Sequence, residues 1–301
     1  MTQCIMDPPR HPPRRRSRLV RLLSLAALLA CAPAPKAAED ALILGVFPRR
    51  NPTETTRLFT PMAEHLGERL GRPVKLITSR DFESFWRGVS ERRYDVVHYN
   101  QYHYIRSAHA YEVVAHIEEG GKSTIAGAVY VRKDSGITDL KQLRGRTVLF
   151  GGGQDAMISY ITNVYLMLQA GLKKDEFKAQ FAVNPPNSVV ALHHRQVDAA
   201  GAGDGVLELP VVRNAINPDE LTTLAVSPPL LQLPVAVKRD MPAQLRTSIQ
   251  SILVNLKASE AGQQVLKSAA LTGMGKAQDK DYEPHRKIVR AVMGPGEVAQ
   301  R

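Results

Sequence analysis

Residues 146–160 read RTVLFGGGQDAMISY, and this stretch decides how the rest of the chain is read. Residues 147–150 form a short β-branched and apolar run, long enough for one buried strand. Gly151, Gly152 and Gly153 end that run, and from Asp155 a helical pattern continues through Ile158, Ile161, Tyr165 and Leu168. A strand, a glycine turn and a helix start bring free backbone N–H groups and the positive end of a helix dipole to one spot. That spot suits a small anion. The same residues also serve any αβ turn, with Asp155 as an ordinary N-cap.

Upstream, residues 42–47 (LILGVF) read as a buried strand, and Asn51-Pro52-Thr53-Glu54 as the cap and first turn of a helix. Leu58, Met62, Leu66 and Leu70 make its apolar stripe, with Pro61 expected to kink it. Strands follow at 74–78, 94–99 and 112–117, with helices at 81–91 and 101–110 between them. Strands alternating with helices at this spacing predict a mostly parallel sheet. A second block holds strands at 125–131, 147–150, 178–183, 197–202 and 221–226, with helices between them. Residues 227–234 (SPPLLQLP) are an extended crossing back to a strand at 235–238, and the remainder reads as helical. The expected organisation is a signal peptide at 1–30, a tether at 31–40, one lobe from 41–122 and 235–301, and a second from 123–234.

The net charge of +11 is concentrated at the start of the chain. Residues 1–30 carry six arginines against one acid, Asp7, leaving 34 basic and 28 acidic residues beyond them. No basic block interleaved with aromatics remains, which argues against a nucleic-acid partner. The start reads as an export signal: a basic segment at 14–21 and an apolar one at 22–30, too short to span a bilayer. Leu28-Leu29-Ala30-Cys31 resembles a bacterial lipobox, in which Cys31 is lipidated; a cut after Ala34 is the alternative. No cysteine follows Cys31, so the body holds no disulfide or thiolate chemistry.

The order of these blocks resembles the phosphate/phosphite/phosphonate-type substrate-binding proteins of ABC importers. The resemblance rests on residues 42–47, the helix carrying Pro61, Tyr94-Asp95-Val96-Val97, 125–133, 147–151 and Val197-Asp198-Ala199-Ala200-Gly201-Ala202. It rests also on Val131-Arg132-Lys133-Asp134-Ser135 followed by Leu140, Leu143 and Gly145. It implies an α/β, two-lobed periplasmic-binding-protein-like fold of type II. Each lobe would be a mostly parallel sheet flanked by helices, hinged by two chain crossings near 122–124 and 227–234. It also implies a cleft that captures a small oxyanion and delivers it to an ABC permease. A membrane sensor kinase as partner, or a metal or cationic ligand, is the alternative. Further expectations are a periplasmic, lipid-anchored monomer with no cofactor and no enzymatic activity.

Ligands of open αβ sheets sit at the carboxyl ends of strands. The candidate contacts are therefore Arg49, Arg50, Tyr99, Asn100, Gln101, Tyr102, Ser123, Thr124, Gly152, Gly153, Gln154, Asp155, Asn187 and Asp204. Arg49 and Arg50 offer guanidinium forks for an oxyanion. Asp155-Ala156-Met157 stand where the family carries a hydroxyl run, and an ionised carboxylate there opposes a divalent anion. His98, His103, His109 and His116 cluster in sequence, but at spacings of five, six and seven that do not match a helical ligand pair. No P-loop, HExxH or nucleophile elbow occurs.

Overall fold

The structure is a computed structural model that describes Met1 and residues 40–48 and 52–298. Residues 2–30 of the expected signal segment, Cys31, Arg49, Arg50 and the expected cap Asn51 lie outside the described residues.

The first block runs β1 (Leu42–Val46), α1 (Pro52–Leu70), β2 (Val74–Ile77), α2 (Phe82–Ser90), β3 (Val96–His98), α3 (Gln101–Ser107) and β4 (Tyr111–Glu118). The second runs β5 (Thr124–Ile125), β6 (Gly127–Arg132), β7 (Thr147–Gly151), α4 (Asn163–Gln169), β8 (Lys178–Ala182), α5 (Pro185–His193), β9 (Ala199–Gly203), α6 (Pro210–Arg213) and β10 (Leu221–Val226). The chain ends with β11 (Leu230–Leu231), β12 (Pro234–Lys238), α7 (Ala243–Val254), α8 (Glu260–Ser268), β13 (Gly273–Lys276) and α9 (Glu283–Met293).

Local chemistry accounts for most of these elements. Leu42, Leu44 and Val46 are buried because β1 is a central strand covered on both faces, whereas edge strand β2 alternates half-buried and exposed. The Asp81 carboxylate accepts the Ser84 N–H at 2.7 Å and caps α2. In α1, Leu58, Met62 and Leu66 are buried, and the helix runs on through Pro61. Tyr94 fills the space between β1 and α2. A Cβ on Gly45 or Gly88 would come within 2.4 Å of it, so glycine is what lets strand and helix close on the ring.

Two sheets result, with matching plans. The first has the order β13-β4-β12-β3-β1-β2 and the second β10-β6-β9-β7-β8. They are mixed rather than mostly parallel. Parallel pairs are β1–β2, β1–β3, β7–β8 and β7–β9, while β12 and β6 run antiparallel to both of their neighbours. The reason is the way the chain crosses. It enters each sheet at the carboxyl ends of the parallel strands: Gly127, at the start of β6, pairs with Gly203 at the end of β9, and Val235 pairs with His98 at the end of β3. The entering strand must therefore run back. The crossings themselves, β5 and β11, pair as an antiparallel ribbon, extended by Gln232 N–H donating to Ser123 O at 3.0 Å.

Two further expectations are corrected. The end of the chain is not wholly helical, because β13 adds an edge strand beside β4. With two glycines in four residues and Gly275 pressed on the His116 ring, it offers no apolar run to read. The helix after the glycine turn is also not regular from its start. Residues Met157–Thr162 form a wide π turn, with Ile161 N–H reaching Ala156 O at 3.0 Å, before α4 begins. Asn163 sustains it by donating from Nδ2 to Ser159 O at 2.9 Å and to Ala202 O at 3.1 Å, which ties the turn to β9.

One apolar core lies around the first sheet, and two line the faces of the second. Tyr102 and Ile105 of α3 and Ile288, Val289 and Val292 of α9 pack into a core of the second sheet. Tyr99 and Tyr104, from the same part of the chain as α3, belong to the first.

Candidate ligand-binding site

The carboxyl ends of β3 and β7 lead into the two segments that meet between the sheets. On one side Asn100 caps α3: its Oδ1 accepts the His103 N–H at 2.9 Å, and its Nδ2 donates to the backbone carbonyl of Asp155 at 3.2 Å. On the other side lies the glycine turn after β7. Gly152, at φ +93°, donates its N–H to Ala182 O at 2.8 Å, and Ala156 N–H closes the turn on Gly153 O at 3.0 Å. Gly153 and Gln154 are exposed.

His103 joins the two sides. Its imidazole is fully buried, stacked on Trp86 with ring centroids 5.2 Å apart, and its Nε2 lies 3.4 Å from Asp155 Oδ2. Burial holds its pKa below the usual histidine value, while the hydrogen bond from His103 holds the Asp155 carboxyl below the usual carboxylate range. Both shifts describe a neutral imidazole donating from Nε2–H to an ionised carboxylate. The Nδ1 atom is buried with no hydrogen-bond partner, which fits that tautomer because a lone pair is left there instead of an unpaired N–H.

The neighbouring cation is committed elsewhere. Arg106 stacks its guanidinium 4.3 Å over the Trp86 ring and pairs through Nε with Glu297 Oε2 at 3.1 Å. Tyr102 donates its hydroxyl to the same carboxylate oxygen at 2.7 Å. Burial and Glu297 together push the Tyr102 phenol well above its usual value, so it remains a neutral donor.

The expected contacts divide accordingly. Asn100, Gly152, Gly153, Gln154 and Asp155 come together. Gln101 is fully buried and donates from Nε2 to Leu231 O at 3.2 Å, bracing the ribbon that also carries exposed Ser123 and Thr124. Asp204 is exposed at the end of β9, bonded to Ala126 in both directions. Three expectations are displaced. Tyr99 is fully buried, with its hydroxyl 3.0 Å from Ser107 Oγ, because its side of the strand faces the core. Tyr102 spends its hydroxyl on Glu297. Asn187 is exposed on α5, its N–H on the capping Asn184. The histidines are dispersed as well: His98 bonds Pro234 O and His116 bonds Ile117 O. Among the described residues no three His, Cys, Asp or Glu side chains are grouped to hold a metal. His103, Trp86, Arg106 and Glu297 were not singled out as site residues, because nothing in the sequence places them beside Asp155.

Two mixed sheets of this plan, joined by a two-stranded ribbon, have known counterparts. The sequence profile described as "ABC transporter, phosphonate, periplasmic substrate-binding protein" matches residues 44–282. The chain belongs to this family. The fold agrees. PhnD1 from Prochlorococcus marinus, solved in complex with methylphosphonate, is 18% identical with a TM-score of 0.72, over 84% of this chain and 98% of that one. The binding-protein component of an ABC phosphonate transporter from Pseudomonas aeruginosa is 15% identical with a TM-score of 0.69, over 84% and 86%. A Xanthomonas citri protein solved with ATP is 15% identical with a TM-score of 0.71, over 86% and 99%. At these identities the likeness is one of fold.

Proposed function

We propose that this protein is the receptor of an ABC importer and captures a small oxyanion of the phosphonate class between its two lobes. Family membership over residues 44–282 is the observation that carries this reading. The facing of the glycine turn and the Asn100 cap supports it, since both lie at carboxyl ends of strands, where open αβ sheets bind ligands. Its work is capture and delivery, not catalysis.

On this reading the lobes comprise residues 41–122 with 235–282, and 123–234; the expected assignment of the whole of 235–301 to the first lobe is corrected for α9, whose Ile288, Val289 and Val292 belong to a core of the second sheet. The β5/β11 ribbon is the hinge, and closure buries the ligand between the two sets of loops. Gly153 supplies its amide while Gly152, its own N–H held by Ala182 O, shapes the turn; Ser123 and Thr124 supply hydroxyls, and Arg49 and Arg50 supply positive charge. The protein is a monomer, exported by residues 1–30 to the periplasm and anchored there through lipidated Cys31.

Thermal-shift and calorimetric titration with phosphate, phosphite, methylphosphonate and transition metals tests the reading. Stabilisation by one of the oxyanions is the expected result. Stabilisation by metals alone would replace it with a metal-binding reading.

A further inference from the structure

The ionised carboxylate of Asp155 stands at the turn where an oxyanion would be held, and it is fixed there. His103, itself fully buried, holds Oδ2 at 3.4 Å, and Asn100 holds the backbone carbonyl at 3.2 Å. The contact does not seal the group, because 44% of the Asp155 side chain remains exposed. Nor, among the described residues, does an ion pair with Lys or Arg neutralise its charge. Three titratable groups of α3 act on this carboxylate or on its partner: His103, neutral; Tyr102, a neutral phenol; and Arg106, paired with Glu297 from the C-terminal segment and stacked on Trp86.

A carboxylate of this kind only accepts hydrogen bonds. An oxyanion that keeps one proton can donate its O–H to Asp155 in a short, charge-assisted bond. A fully ionised oxyanion presents lone pairs to lone pairs, and once the lobes close over it like charges meet with less water to screen them. We propose that Asp155 sets the protonation state of the ligand, selecting the hydrogen-phosphonate or hydrogen-phosphate monoanion and rejecting the dianion. This rests on the oxyanion reading above and refines it.

The test is the pH dependence of affinity, measured by calorimetry for methylphosphonate and inorganic phosphate on the wild type, Asp155→Asn and Asp155→Ser. The range from about pH 5.5 to about 9 keeps Asp155 ionised while the ligand loses its last proton. The wild type should lose about tenfold or more in affinity across this range. Both variants should show a flat or rising profile, and should gain for sulfate, which is a dianion throughout. A merely structural role for Asp155 would shift affinity equally at every pH. Parallel profiles in wild type and variants therefore overturn the proposal while leaving the oxyanion reading intact. Failure of wild type and both variants to bind either phosphorus oxyanion at any pH overturns both.

Discussion

The imidazole Nε2 of His285 lies 3.1 Å from the backbone carbonyl of Leu231, joining the C-terminal helix to the second crossing strand. That carbonyl also accepts from Gln101 Nε2, and Tyr282 donates its hydroxyl to the next carbonyl, Gln232 O, at 3.0 Å. One arm of the ribbon is thus held by side chains from α3, from α9 and from the segment leading into α9.

The first prediction follows from the burial of His285, which lowers its pKa from 6.5 to about 4. The unfolded chain then binds the proton more tightly than the folded one. Stability from this group is fully present above pH 6.5 and is lost as the pH falls toward 4. The full loss is about 3 kcal/mol. Denaturant unfolding at pH 7 and near the acid end of that window should show it, and His285→Gln should flatten the slope.

A second prediction concerns Trp86, which carries His103 on its ring face and the Arg106 guanidinium 4.3 Å above its ring. Trp86→Leu keeps apolar bulk and loses both contacts. It should destabilise the protein by about 1–2 kcal/mol. A double-mutant cycle with Arg106→Met measures the cation–π share, and additivity within error would show that share to be absent.

Packing of β1 on α2 supplies a third. Gly45→Ala places a methyl 2.4 Å from Tyr94 Cγ, on a ring stacked over Phe85 at 5.1 Å. The expected loss is about 1–3 kcal/mol. Tyr94→Leu in the same chain should recover part of it, as read from the denaturation midpoint at constant slope.

The glycine turn gives a fourth. Gly152 has φ +93° and an Ala156 methyl 3.3 Å from the place of a Cβ, whereas Gly153 meets nothing within 4 Å. Gly152→Ala should cost roughly 1 kcal/mol of stability and weaken oxyanion binding by displacing the turn amides. Gly153→Ala should leave stability within about 0.5 kcal/mol. Equal effects of the two would show that the turn carries no backbone constraint.

What could be read along the chain is what short-range chemistry sets. The strands at β1, β7 and β10, the glycine turn, and the extended crossing at 227–234 were all legible, because each depends on residues within a few positions of one another. The helix expected after the turn is regular only from Asn163, since its start is a π turn sustained by Asn163 reaching Ala202, 39 positions away. β13 escaped notice because an edge strand of two glycines needs only a free row of hydrogen-bonding groups on β4, and no apolar pattern of its own.

By itself, the sequence determined most of the succession of strands and helices, the family, and the presence of a carboxylate on the glycine turn. The antiparallel insertion of β6 and β12 was decided only by where the chain crosses between the sheets, a property of the whole path. The partner of that carboxylate was likewise a tertiary matter. His103 and Asp155 are 52 positions apart, on segments that meet only when both sheets are built and joined by the ribbon. Local pattern carries the dihedral preferences of the chain. Which charged groups come to face one another is set by long-range packing, which burial of apolar surface drives without regard to their separation in sequence.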